Sequence, residues 1–163
     1  MLSHIFKYFS DVVYAQIWSN RIRVRNITNG LIFDDEPLIA LGKNKKGQDI
    51  IVGIGREVRK TDNSISIMNP FLHPRVLISD FEKAEKIMQH AIREVHKNYK
   101  YFRYYPSVVV HPMEKLEGGL TDIEDRAIRE LMFGAGAYKI ALYQGKELSI
   151  FDSSINNILK ENG

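Results

Sequence analysis

The sequence of 163 residues contains no cysteine, which excludes thiol nucleophiles, disulfides and thiolate metal sites. It also has no apolar run near the roughly 20 residues that a membrane-spanning helix needs. The N-terminus lacks the apolar core and small-residue cleavage site of a secretory signal. A net charge of +3 is too small to argue for nucleic-acid binding by itself. We therefore expect a cytoplasmic protein.

A complete glycine-rich phosphate fingerprint is also missing. Gly53 and Gly55 lie in VGIGREV, but no third glycine and helix follow at the spacing of a dinucleotide site. His90 and His96 are six positions apart, whereas the two histidines of a zinc-binding helix are four apart. From these motifs we predict no metal site and no cofactor.

What the sequence does contain is the composition of an ordinary globular domain. Hydrophobic residues make up 44% and charged residues 26%, and no repeat, linker or low-complexity segment divides the chain. A chain of this length buries roughly 70% of its unfolded surface as one domain. We predict a single domain over residues 11–163, preceded by a separate segment at residues 1–10.

That first segment, MLSHIFKYFS, places its large apolar side chains on one side of a helix. Such an amphipathic helix can pack on its own domain or lie shallowly on a membrane surface. Both alternatives stay open, because so short a helix binds a membrane weakly. The candidate membrane-binding residues are Leu2, Ile5, Phe6 and Phe9.

The next part of the chain alternates apolar and polar residues, which predicts antiparallel strands. The predicted strands are residues 12–17, 21–27, 31–41, 50–54 and 64–68. A helix over residues 80–98 follows, with Ser79 and Glu82 as its predicted capping box. After it come a strand at 108–110, a helix from Thr121, a strand at 138–143, a further strand at 147–151 and a terminal helix containing Ile155, Ile158 and Leu159.

The helix that starts at Thr121 has the clearest local signals. Thr121 and Glu124 have the spacing of a capping box, and the glycine-alanine stretch at 134–137 predicts the end of the helix. Its predicted apolar face consists of Ile123, Ala127, Ile128, Leu131 and Met132. With the strands at 108–110 and 138–143, it predicts parallel strands joined by a crossover helix. Glu124 is either a capping carboxylate or a carboxylate aimed into the crevice at the carboxyl ends of the strands.

Three other features have both a structural and a functional interpretation. Arg21, Arg23 and Arg25 share one face of the second strand, which is either solvated or contacts phosphate. The stretch KNYKYFRYY at 97–105 either folds its rings over a neighbouring helix or stacks nucleobases or a partner. His111 follows the VVV strand, and we interpret it as an inert loop histidine instead of a general base.

Three motifs occur in a familiar order. EDRAIRE at 124–130 precedes GAGA at 134–137, Glu36-Pro37 follows the third predicted strand, and ISDF occupies 78–81. They are similar to the ERRAIRE and GAGA, NEP and IADF motifs of the bacterial actin family. Over about residues 1–143 the chain resembles the N-terminal lobe of the MreB-like rod shape-determining proteins. Residues 1–10 also resemble the amphipathic leader of that family. The resemblance implies an α/β, actin-like (ribonuclease H-like) lobe. Its mixed sheet would have antiparallel opening strands and parallel later strands, flanked by helices.

The departures from this family concern nucleotide binding. The family's first hairpin reads DLGTANT, in which backbone amides surround phosphate and the aspartate helps to hold magnesium. Here residues 16–21 read QIWSNR, without the acid or the glycine, and with the bulky Trp18 where phosphate would lie. The second glycine-rich loop and the second lobe of the family are also not recognisable. Glu124 matches the family's water-orienting glutamate, so it is a catalytic candidate only if ATPase activity is retained.

Three functions follow as hypotheses. The first is a non-catalytic, single-lobe binding or scaffold module of the cytoskeleton, without cofactor. It would be cytoplasmic or peripheral at the inner membrane face, and its protein partner would be a full-length actin homologue or another copy. The second is an ATP-binding protein completed by a second chain, with Glu124 orienting water. The third is nucleic-acid binding through the three arginines and the aromatic stretch, which the small net charge disfavours.

Overall fold

A computed structural model describes residues 11–97, 105–149 and 154–162, which form two β-sheets and the helices that cover them. The strands in chain order are β1 (Val12–Ile17), β2 (Ile22–Asn26), β3 (Ile32–Asp35), β4 (Ile39–Lys43), β5 (Asp49–Ile54), β6 (Ser66–Met68), β7 (Ser107–Pro112) and β8 (Lys139–Leu142). The α-helices are α1 (Phe81–Glu94), α2 (Asp122–Gly134) and α3 (Ser154–Asn162), and a 3₁₀ helix spans Arg56–Lys60. The predictions for residues 1–10 and 98–104 lie outside the described residues.

The larger sheet has the strand order β3-β2-β1-β7-β8. Strands β1, β2 and β3 form an antiparallel meander, whereas β1, β7 and β8 run parallel. Helix α2 crosses from β7 to β8, so the predicted crossover unit is confirmed. The predicted fold class, a mixed sheet with antiparallel opening strands and parallel later strands, is also confirmed.

The core lies on both faces of this sheet. Alternate residues of β1, such as Val13 and Ala15, face helices α1 and α2, while Tyr14 points to the opposite face and packs with Leu148 and α3. Strand β7 is buried on both sides, which explains why its Val108, Val109 and Val110 read as a continuous apolar run.

The predicted strand over 31–41 is wrong in extent, because the chain breaks between β3 and β4. Pro37 lies at the break; it has no N–H to donate to a sheet, and Leu38 N instead donates to Glu36 O. Strand β4 then enters a separate three-stranded sheet with the order β5-β4-β6. The Glu36-Pro37 motif therefore marks the point where the chain leaves one sheet for the other.

Several element boundaries also differ from the sequence predictions. The N-cap of α1 is Asp80, whose side chain accepts from Lys83 N; Ser79 Oγ donates to Pro70 O, so no Ser79–Glu82 capping box forms. Helix α1 ends at Glu94, four residues earlier than predicted. Residues 147–149, the described part of the predicted 147–151 strand, are not in a strand.

Helix α2 follows its prediction closely, with one exception. It ends at Gly134, and Gly136 adopts a positive φ of 106° just beyond the end, as the glycine-alanine stretch predicts. Ile123 is not part of the buried face, because 81% of its surface is exposed. Among the described residues, no helix combines the length and apolar character needed to cross a bilayer.

Candidate functional site

The β1–β2 hairpin occupies the position that the sequence marks as a former phosphate loop. Trp18 N donates to Arg21 O over 2.9 Å, which closes the turn. The Arg21 guanidinium lies 5.4 Å from the centre of the Trp18 ring. Two hydrogen bonds of 2.7 and 2.6 Å join Arg21 to Asp34, and this pairing lowers the pKa of the Asp34 carboxyl. The tip of the hairpin is thus held by contacts within the chain.

The amide of Ser19, next in the turn, also has a partner. Ser19 N donates to Glu114 Oε2 over 3.0 Å, and Ser19 O accepts from Asn69 Nδ2 over 2.8 Å. Backbone N–H groups in turns can bind anions, and here the anionic partner of Ser19 N is the Glu114 carboxylate of the same chain.

The loop after β7 holds Glu114 in this position. Met113 N donates to Ile17 O over 2.9 Å, which continues the β1–β7 contact beyond the strands. Lys115 adopts a positive φ of 59° and donates from Nζ to Val76 O over 3.0 Å. Residues on both sides of Glu114 are therefore anchored to neighbouring elements.

Gln16, at the position of the family's aspartate, is completely buried in a polar network. Its Nε2 donates to Glu147 Oε1 over 2.9 Å, and its Oε1 accepts from Arg25 Nη2 over 3.1 Å. The Arg25 guanidinium lies 5.0 Å from the Tyr14 ring centre and also donates to Leu148 O over 3.3 Å. An amide side chain can accept a hydrogen bond from a cation and donate one to an anion at the same time, whereas a carboxylate can only accept.

The interpretation of the three arginines as one solvated face is wrong. Arg25 is buried under the segment that follows β8, and its burial lowers the pKa of the guanidinium. Arg21 is exposed but paired with Asp34, and Arg23 Nε lies 3.5 Å from the same carboxylate. The side chains share a strand face, but they do not form an open cationic surface.

His111 is a buried residue of β7, and the expectation of a loop histidine is therefore wrong. The Tyr14 hydroxyl lies 2.7 Å from His111 Nδ1 and accepts from Leu148 N over 3.2 Å. Burial lowers the pKa of His111 and raises the pKa of Tyr14, so the neutral imidazole and the protonated phenol are favoured. In these states the Tyr14 hydroxyl donates to His111 Nδ1 while its oxygen accepts from Leu148 N. The hydroxyl thus links the segment after β8 to the sheet.

Glu124 forms the predicted capping box. Its Oε2 accepts from Thr121 N over 2.9 Å and from Thr121 Oγ1 over 2.8 Å, while Glu124 N donates to Thr121 Oγ1 over 3.3 Å. These bonds lower the pKa of the Glu124 carboxyl. The capping interpretation is confirmed, and the water-orienting role stays a prediction.

His90 and His96 have separate partners and do not form a shared metal site. His90 packs edge-on against Phe33, with ring centres 5.6 Å apart. His96, two residues beyond the end of α1, has its Nε2 3.3 Å from Asp11 Oδ2. Within the described ranges, no group of three or more histidine or acidic side chains has the geometry to hold a metal ion.

An open cavity of about 460 Å³ lies beside the hairpin, between the two sheets. Its lining consists of Asn20, Arg21, Asp34, Asp35, Glu36 and Arg56. The charged groups pair with one another across it: Arg56 Nε lies 2.8 Å from Asp35 Oδ1, and Arg21 binds Asp34. The Arg56–Asp35 pair connects the end of β3 to the 3₁₀ helix, and the Arg21–Asp34 pair connects β3 to the β1–β2 hairpin.

No motif in the sequence pointed to Glu114, Asn69 or Glu147, the side chains that hydrogen-bond to Ser19 of the hairpin and to the buried Gln16. Glu114 is 95 residues from Ser19 in the chain, and Glu147 is 131 residues from Gln16. Asn69 follows β6, Glu114 follows β7 and Glu147 follows β8, so these side chains meet only because three separate segments fold towards the hairpin.

Comparison with known proteins identifies a family with which this chain shares sequence similarity. A family model described as MreB/Mbl protein matches residues 19–155. The cell shape-determining protein MreB of Pasteurella multocida is 30% identical over 120 residues, covering 71% of this chain and 32% of that protein. MreB of Escherichia coli is 29% identical over the same length.

Among solved structures, MreB5 of Spiroplasma citri bound to AMPPNP matches with a TM-score of 0.60 and 18% identity, over 83% of this chain and 38% of that one. This likeness shows the actin-like fold. The chain spans about a third of the length of the curated relatives. Because the family model matches most of its length, the chain belongs to the MreB/Mbl family.

Proposed function

We propose that this chain is a non-catalytic binding module related to the cell-shape cytoskeleton, and that it has given up nucleotide binding. The observation that supports the proposal is the hydrogen bond from Ser19 N to the Glu114 carboxylate. In place of a phosphate, the first hairpin binds a side chain of its own domain.

Electrostatics supports the same conclusion. A phosphate brought to the hairpin would meet the Glu114 carboxylate, and like charges in close contact disfavour binding. Gln16 is neutral, fully buried and engaged by Arg25 and Glu147, so it offers no carboxylate to a magnesium shell. The residues present therefore do not fit a magnesium nucleotide at this hairpin.

The first prediction is that calorimetric titration of the chain with Mg-ATP gives no saturable heat. A nucleotide-binding MreB relative titrated in parallel serves as the positive control. The matched variant Glu114→Gln removes the charge but keeps the shape, and we expect it to remain without micromolar affinity because Gln16 is unchanged. Micromolar Mg-ATP binding by the unaltered chain would refute the proposal.

The alternative, an ATPase completed by a second chain, requires Glu124 to orient water. Glu124 already accepts two hydrogen bonds from Thr121 at Oε2, but this function is the less favoured one because the Glu114 carboxylate binds the Ser19 amide of the first hairpin. The proposed partner is therefore a protein that binds the folded surface: a full-length actin homologue or another copy of this chain. Nucleic acid is disfavoured, because Arg21 and Arg25 are already engaged.

A peripheral position at the inner membrane face is the second part of the proposal. Leu2, Ile5, Phe6 and Phe9 supply the apolar face of the candidate anchor. The described chain begins at Asp11, whose carbonyl accepts from Ser107 N, and Pro106 accepts from Tyr138 N next to it. The exposed rings of Tyr105 and Tyr138 thus lie near the place where the leader joins the domain, and tyrosine favours membrane interfaces.

The second prediction concerns this leader. In sedimentation with vesicles that contain anionic lipid, the intact chain is expected to pellet, whereas a variant without residues 1–10 stays in the supernatant. A further variant, Phe6→Ser with Phe9→Ser, tests the apolar face at nearly constant length. Equal pelleting of all three proteins would exclude the leader as the anchor.

A further inference from the structure

Strand β5 is the exposed edge of the small sheet, because the order β5-β4-β6 leaves its outer side without a strand neighbour among the described residues. An edge strand presents a row of unpaired N–H and C=O groups, which can pair with another strand. The contacts of β5 therefore determine whether this surface is protected or available.

The other three sheet edges carry features that limit strand pairing. Strand β3 has four residues and ends in Asp34 and Asp35, β8 has four and begins with Lys139, and β6 has only three. Short length and charge are the usual protection of an edge. Strand β5 has six residues and a single charged one, Asp49, at its start.

The composition of β5 is also unusual for an edge. Ile50, Ile51 and Val52 follow one another, and each keeps 41–44% of its surface exposed. A run of consecutive β-branched residues is typical of a strand that is covered on both faces. Here neither face is fully covered, so apolar side chains of β5 remain partly exposed to solvent on both faces.

We propose that β5 pairs antiparallel with β5 of a second copy of this chain. A two-fold dimer places the same patch on both subunits, so one strand supplies both halves of the contact. The charge distribution selects the orientation: a parallel pair would put the two Asp49 carboxylates side by side, whereas an antiparallel pair separates them to opposite ends.

The bulge in β5 limits the strength of this contact. Leu41 pairs with Ile51 and Ala40 pairs with Gly53, so Val52 is the extra residue and the strand bends there. The straight part that can pair is short, so we expect a weak, reversible dimer. The proposal rests on the proposed function in naming a surface for binding another copy, but it uses no residue of the hairpin and can fail while the loss of nucleotide binding holds.

The test is sedimentation equilibrium over a concentration series. The unaltered chain is expected to show a reversible monomer–dimer equilibrium, and Val52→Lys is expected to weaken it by about tenfold or more. The matched control is Ile32→Lys, which puts the same charge on the exposed edge strand β3 and should leave the dimer unchanged. A monomer at all accessible concentrations, or a dimer equally sensitive to both substitutions, would overturn the proposal.

A second measurement does not depend on a lysine variant. Because the chain has no cysteine, Ile51→Cys introduces a single thiol into β5. Mild oxidation is expected to give a disulfide-linked dimer, whereas Leu72→Cys, at a residue with 69% of its surface exposed, gives much less. Equal cross-linking of both variants would indicate random collisions and contradict pairing through β5.

Discussion

Replacing Phe71 with alanine is expected to lower the free energy of unfolding by about 3–5 kcal/mol, measured by urea denaturation. Phe71 is fully buried in the main core, so the substitution leaves a cavity among well-packed side chains. Its backbone also belongs to the loop that supports the hairpin: Phe71 N donates to Asn69 Oδ1 over 2.8 Å, and Asn69 holds Ser19. We therefore expect the hairpin to loosen as well.

The neighbouring residue provides the control. Leu72 is 69% exposed, and Leu72→Ala should change stability by no more than about 0.5 kcal/mol. Two consecutive apolar residues then differ several-fold in their effect, because only one of them is removed from water by folding. Equal losses in the two variants would show that Phe71 is not part of the core.

Tyr14→Phe is expected to lower the free energy of unfolding by about 2–4 kcal/mol, although it removes one oxygen atom. That oxygen accepts from Leu148 N, and its hydroxyl donates to His111 Nδ1. Without it two buried polar groups lose their partner, and each costs about 1–3 kcal/mol. Thermal or urea unfolding measures the loss, and amide exchange at Leu148 should become faster.

Tyr138→Phe is the matched control, because more than half of the Tyr138 surface is exposed. Water can take the place of this hydroxyl in the variant, so we expect the free energy of unfolding to change by no more than about 0.5 kcal/mol. A Tyr14→Phe protein as stable as this control would mean that the segment after β8 does not depend on the Tyr14–His111 contact.

The features that the sequence predicted correctly are local. The Thr121–Glu124 capping box depends on residues three apart, and the end of α2 depends on a glycine within the same stretch. The bounds of β1, and those of β2 to within one residue, likewise follow from neighbouring residues. Motif order was sufficient for the family resemblance, since EDRAIRE and GAGA are continuous segments.

The errors came from contacts and breaks that periodicity along the chain does not encode. Arg25 looked like a solvated residue by its alternation, yet it binds Leu148 O, 123 residues away. Ser79 had the spacing of a cap but was diverted to Pro70 O by the fold of the preceding loop. The third strand was overextended, because alternation continues across Pro37 while the sheet does not.

The sequence by itself determined the family, the crossover unit and the absence of an aspartate and a glycine from residues 16–21. Only the tertiary structure decided the contacts of this hairpin and of the sheet edges: Glu114 on the Ser19 amide, Gln16 between Arg25 and Glu147, and β5 at a sheet edge without a strand neighbour in the described part of the chain. The physical reason is that helix caps and strand alternation depend on neighbours along the chain. The partner of a buried polar group and the position of a strand in a sheet depend on segments that only folding brings together.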